Sequence, residues 1–140
     1  MRSIGLAEAA LALMLERVTD PSRTTFGKFL YQHGTVVADL ARSRIEIDAA
    51  RLLVLSAANN IDKVRAKGAK KDIGMAKVLV PTTALNVLDR AIQSFGAEGL
   101  SQDQPLAHWY AGLRTLRFAD VSFPPYNQFR LWIVKAIVFV

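Results

Sequence analysis

The stretch "VADLARSRIEIDAARLLVLSAANNIDKV", Val37 to Val64, decides the fold class. Apolar residues recur in it as Val37, Leu40, Ile47, Ala50, Val54, Ala57, Ile61 and Val64, in steps of three or four, with Arg44 filling the one gap. That spacing draws a single apolar stripe along a helix of about seven turns. Arg42–Glu46, Arg44–Asp48 and Asp48–Arg51 fall four or three apart, a spacing at which opposite charges support a helix.

Helices extend outward from this one in both directions. "IGLAEAALALMLERV" (Ile4 to Val18) is rich in Ala and Leu, the strongest helix formers. Pro21 disfavours helical backbone at Asp20, so that helix stops near "TDPS". After "KGAKK", a third helix from about Asp72 carries Met75, Leu79, Thr82, Leu85, Leu88, Ile92 and Phe95 on one face. Pro81 lies inside it, where a missing donor and a ring clash predict a kink without a break. "FGAEG" (Phe95 to Gly99) ends it. Ser101 is placed to cap a fourth helix, with Pro105 near its start and a stripe of Leu106, Trp109 or Tyr110, Leu113 and Leu116. No strand-like alternation precedes residue 120. Two long helices, two shorter ones and short connections predict an all-α fold, an antiparallel up-down four-helix bundle.

Composition narrows the function classes. The 140 residues suit one domain, and 51% apolar with 21% charged residues describe a globular chain. There is no cysteine, which excludes disulfides, a thiol nucleophile and thiolate metal sites. The net charge is +6, but its basic residues are spread along the helices. Only "RAKGAKK" (Arg65 to Lys71) is dense, and it reads as a solvated connection more readily than as a nucleic-acid patch. The longest apolar run, "LWIVKAIVFV" (Leu131 to Val140), is half the length of a membrane span. No signal peptide is visible. His33 and His108 lack partners at metal-ligand spacing. G-x-S-x-G, P-loop and G-x-G-x-x-G motifs are absent.

The first connector is too decorated for a plain turn. "RTTFGKFLYQHG" (Arg23 to Gly34) offers a guanidinium, hydroxyls and an aromatic ring. With "IGLAEAAL" in the first helix, "DRAIQSFGAEGLSQDQPL" joining the third and fourth, and "LRTLRFAD" closing the fourth, it resembles the C-terminal domain of the acyl-CoA dehydrogenases. The resemblance spans residues 1–120, and "SRIEIDAARLLVL" is similar to the member-10/11-like branch of that family.

The resemblance implies a four-helix bundle that contributes to an FAD site shared between neighbouring subunits. It implies that Arg23 reaches the pyrophosphate of a neighbour's FAD, for which a guanidinium fork is suited. Thr25 and Phe26 would line the adenosine part. Gln93, Gly96 and Ala97 would match the "Q-x-x-G-G" segment that contacts FAD. Asp120 would hold the position of the catalytic carboxylate that removes the α-proton of an acyl-CoA thioester, while hydride leaves for the flavin. The implied partners are the acyl-CoA substrate and a second copy or a full-length relative. The implied compartment is mitochondrion or peroxisome.

The chain also departs from the family pattern. Phe29 replaces the usual proline after "FGK", Gly34 stands where a glutamine is common, and Ala97 replaces the second glycine of its loop. After Asp120 the text changes to "VSFPPYN", where members continue with a glycine and a short polar segment. Residues 121–140 therefore read as a divergent tail, such as a retained intron or an alternative exon would encode. The family's N-terminal helical and β-barrel domains have no counterpart here, so the resemblance implies a fragment that does not turn over substrate alone. The rival expectation is an inert helical module, derived from the enzyme, that oligomerises or docks on a relative.

Overall fold

The computed structural model describes residues 1–119, and the readings at Asp120 and in the tail at 121–140 lie outside them. Helix α1 runs Arg2–Thr19 and ends where Asp20 turns extended (φ −64°, ψ 116°), one residue before Pro21. Its buried face is Ile4, Ala7, Ala10, Met14 and Val18, a stripe of threes and fours. Helix α2 spans Gly34–Gly68 and helix α3 Lys70–Phe95, with Ala69 alone between them. Helix α4 is Leu106–Ala119. The chain folds as the expected all-α bundle, in which α3 packs on α1, α2 and α4.

Sharing three neighbours explains why α3 buries more than one stripe. Val80, Ala84, Leu85, Val87, Leu88, Ala91 and Phe95 are all buried. The single face expected from Met75 to Phe95 is corrected accordingly: Leu79 is exposed and Met75, Thr82 and Ile92 are half-buried. On α2 the core contacts are Ser43, Ile47, Ala50 and Ala57, while Val37 and Val64, the two ends of the expected stripe, are exposed. The stripe holds where α1 and α3 cover it and fails beyond them.

Pro81 does not interrupt α3, which continues through it for 26 residues in all. The sharp backbone departure comes earlier, at Arg65 (φ 63°, ψ 168°), where α2 turns into the Ala69 joint. The α4 start also differs from expectation. Ser101 does not cap α4; its hydroxyl donates to the Glu98 carbonyl and accepts the Asp103 N–H. A 3-10 turn at Gly96–Leu100 and a further turn intervene, and α4 begins after Pro105. Its stripe is as expected, with Leu106 and Leu113 fully buried and Trp109, Tyr110 and Leu116 packed beside them.

Ion pairs tie the helices across their seams. Arg90 of α3 grips Glu46 of α2 with two bonds of 2.8 and 2.9 Å, and also reaches the buried Ser43 hydroxyl. Glu46 is thus taken by α3 and not by Arg42, which pairs with Asp39. Glu8 of α1 accepts from both Arg44 and Arg51 of α2. The Arg44 hydrogen bond holds the Glu8 carboxyl below its ordinary range, against an opposing effect of burial and with further help from Arg51. A carboxyl depressed by folding contributes stability above its unfolded pKa and loses it as pH falls through the folded value. Acidification below about pH 5 therefore destabilises the bundle in part through Glu8. Thermal melts of Glu8→Gln should show a lower melting temperature at neutral pH and a shallower acid limb than the parent.

Candidate functional site

The connector after α1 is a two-residue hairpin. Strands β1 (Thr24–Thr25) and β2 (Lys28–Phe29) pair with Thr25 opposite Lys28, a detail beyond the all-helical expectation. Phe26 and Gly27 form the turn, at φ 52° and 73°. Two positive φ values are what a type I′ hairpin turn demands, and glycine supplies the second freely. Phenylalanine at the first costs about 1–2 kcal/mol against a right-handed conformation. The residue is 94% exposed, so no burial within the described residues offsets that cost.

The hairpin is anchored from behind. The His33 ring lies 3.1 Å from the Thr25 carbonyl, and the Phe29 N–H donates to Gln32 at 3.0 Å. Phe29, the departure from proline, stacks on Tyr31 with ring centroids 5.4 Å apart. Gly34 opens α2 at the end of this turn.

Gln93, Gly96 and Ala97 gather at the far end of α3. The Gly96 N–H donates to the Gln93 carbonyl, closing the helix. Gly96 sits at φ 64°, ψ −139°, a conformation open essentially to glycine alone. A methyl built on it would meet nothing within 4 Å, so conformation and not crowding requires the glycine, and its outer face is open. Gln93 and Ala97 are exposed.

Arg23 brings the two loops together. Its backbone N–H donates to the Asp20 carbonyl, and its guanidinium lies 3.6 Å from the Asp20 carboxylate and 3.7 Å from that of Glu98. Glu98 belongs to the Gly96–Leu100 turn, so the contact joins the hairpin base to the α3 terminus. Ser22 fixes Asp20 through its backbone N–H and hydroxyl, and these bonds hold the Asp20 carboxyl below its ordinary range. Beside the corner a cleft of about 530 Å³ opens between the last turn of α1 and the Phe95–Gln104 segment.

The structure therefore sets Arg23, Thr25 and Phe26 on one connector and Gln93, Gly96 and Ala97 at the end of α3 and the turn after it, with Glu98 as the bridge. Asp120 lies outside the described residues. Arg17, Asp20, Glu98 and Gln104 were not singled out by the sequence reading, though they carry the corner's ion pairs and hydrogen bonds. No cluster of His, Asp and Glu fit for a metal ion occurs among the described residues. No described helix is long and apolar enough to cross a membrane.

A bundle of four helices with an arginine-bearing hairpin set against a glycine-capped helix end defines the class. Residues 1–120 match the family model of the acyl-CoA dehydrogenase C-terminal domain, and the chain belongs to that family. Acyl-CoA dehydrogenase family member 10 of Mus musculus is 58% identical over 120 residues, covering 86% of this chain and 11% of that protein. Family member 11 of Homo sapiens is 49% identical over the same length, covering 86% of this chain and 15% of that protein. The chain thus spans about an eighth of the length of such curated relatives. Among solved structures, butyryl-CoA dehydrogenase from Megasphaera elsdenii superposes with a TM-score of 0.74 at 31% identity, over 82% of this chain and 29% of that one.

Proposed function

We propose that this chain is the flavin-contacting C-terminal domain of an FAD-dependent acyl-CoA dehydrogenase, acting with a partner chain that supplies the rest of the site. The observation that carries the reading is the Arg23–Glu98 contact, which unites the hairpin and the α3 terminus into one corner. The donor set there fits the cofactor's chemistry. The half-exposed Arg23 guanidinium suits a pyrophosphate, the Phe26 ring offers a face for adenine, and the Thr25 hydroxyl and Gln93 amide offer polar contacts. Gly96 leaves backbone accessible beside them. Bound there, FAD would supply the hydride-accepting chemistry of α,β-dehydrogenation. This chain's own part is to orient the cofactor, and to hold at the Asp120 carboxylate the α-proton removed from the acyl-CoA thioester.

A second reading is a helical module that only pairs with other chains. It is favoured by the outward face of α2, where Val37, Ile45, Leu52 and Leu55 are all exposed at helical spacing. Both readings expect self-association or pairing with a full-length relative. They part over flavin. Sedimentation velocity recorded in both the protein and the flavin absorbance bands, with and without a full-length relative, separates them. A flavin boundary travelling with this chain's oligomer supports the first reading. An oligomer that never carries flavin overturns it in favour of the second.

A further inference from the structure

Arg17 is the most enclosed charge at the ligand corner, with only 13% of its side chain exposed. It stands in the last turn of α1 and reaches across to the end of α3. One Nη donates to the Glu98 carboxylate at 2.8 Å, the other to the Phe95 carbonyl at 3.4 Å. The guanidinium lies over the Phe95 ring, 4.9 Å from its centroid. Its Nε–H is buried without a partner. A basic residue in the last turn of a helix ordinarily serves that helix's own terminal carbonyls. This one instead serves a carbonyl, a ring and a carboxylate about 80 residues further on.

Glu98 is the shared element. The oxygen that binds Arg17 at 2.8 Å also lies 3.7 Å from Arg23, and the other oxygen accepts from the Gln104 amide at 3.0 Å. Burial pushes the Glu98 carboxyl up, but the Gln104 bond and the Arg17 and Arg23 charges outweigh it, so Glu98 remains ionised. A carboxylate this near Arg23 competes with any anion Arg23 would bind, and Asp20 at 3.6 Å already does the same. The distances decide where Glu98 spends its charge. At 2.8 Å, enclosed and hydrogen-bonded, Arg17 holds it more strongly than Arg23 does at 3.7 Å and half exposed.

We propose that Arg17 is the positioning residue of the cofactor corner: by taking Glu98 as its own counter-ion, it keeps that carboxylate off Arg23 and leaves Arg23 open to an incoming pyrophosphate. This inference rests on the reading of the corner as an FAD site. Two guanidiniums and two carboxylates balance as folded. Without Arg17, the corner is net negative, and both Glu98 and Asp20 fall to Arg23.

The test uses the chain together with a full-length relative, as parent, Arg17→Met, Glu98→Gln and the double variant. FAD affinity is measured by flavin fluorescence titration. Arg23 availability is measured without ligand, from its rate of modification by phenylglyoxal read by peptide mass spectrometry. Arg17→Met should weaken FAD binding about tenfold, the lower end for losing a hydrogen bond to a charged group, and should slow Arg23 modification. Adding Glu98→Gln should return both close to the parent. Glu98→Gln alone should tighten FAD binding about two- to fivefold, the scale of one partly exposed ion pair, and speed Arg23 modification.

A double variant as weak as Arg17→Met overturns the inference, because a merely structural arginine is not rescued by removing a carboxylate. Should Arg17→Met fail to fold, Glu98→Gln decides alone, and unchanged Arg23 modification overturns the inference. FAD binding by the parent without the expected order of Arg23 reactivity defeats the role of Arg17 and leaves the cofactor reading standing. The expected order of reactivity without FAD binding does the reverse.

Discussion

Arg23→Ala is expected to weaken FAD binding about a hundredfold, since a hydrogen bond to a charged group contributes about 1.5–3 kcal/mol and each 1.4 kcal/mol is tenfold. The same change should leave the stability of the bundle within about 0.5 kcal/mol. The two halves of this expectation follow from one geometry. The Arg23 side chain is 46% exposed, and its ion pairs of 3.6 and 3.7 Å are longer than good charge-assisted bonds. Little stability therefore depends on it, and its donors are free to turn toward a ligand. Arg23→Lys keeps the charge but loses the planar fork, so its affinity should fall between parent and alanine. Flavin fluorescence titration beside a thermal melt measures both. A matched loss of affinity and melting temperature would show that Arg23 serves the fold instead.

Leu88→Ala is expected to have the largest effect on stability, a loss of about 3 kcal/mol within the range for leucine truncation in a core. Leu88 is fully buried in the middle of α3, the helix that touches each of the other three. A cavity there has rigid walls from helices that are also ion-paired across their seams, so the site collapses poorly. Leu52→Ala is the natural contrast. Leu52 is 67% exposed, and its truncation should leave the unfolding midpoint of the single chain nearly unchanged. Urea unfolding of the two variants against the parent checks both. Equal shifts would mean that the outward face of α2 is covered as firmly as the core.

The helices were legible because their ends carry their own chemistry. Pro21 stops α1, Phe95–Gly99 stops α3, and Leu106 to Leu116 draws a clean stripe. The faces were less legible where a helix has more than one neighbour. The residues of α3 between Val80 and Phe95 cannot announce from spacing alone that three helices surround them. Ser101 has the chemistry of a cap, yet it satisfies the Gly96–Leu100 turn, because a hydroxyl serves whichever backbone groups come within reach. At the site, Arg23 and Gly96 were legible through the family resemblance and not through residue type alone, and in the fold their segments meet through Glu98. Arg17 and Glu98 did not stand out. An arginine in a last helical turn and a glutamate in a glycine-rich loop are ordinary locally, and what distinguishes them is a contact across 81 positions of sequence.

The Phe26–Gly27 turn has a consequence for how this corner can change. Thr24 to Lys28 are exposed along their whole length. Substitutions in that segment act on sites distant from the core, where energetic effects add independently. The hairpin is thus separable from the fold: Thr25 or Phe26 can be changed with little risk to the bundle. The same freedom ends at Arg17, where one side chain belongs to both accounts of the molecule, and a change made for binding is also felt by the fold.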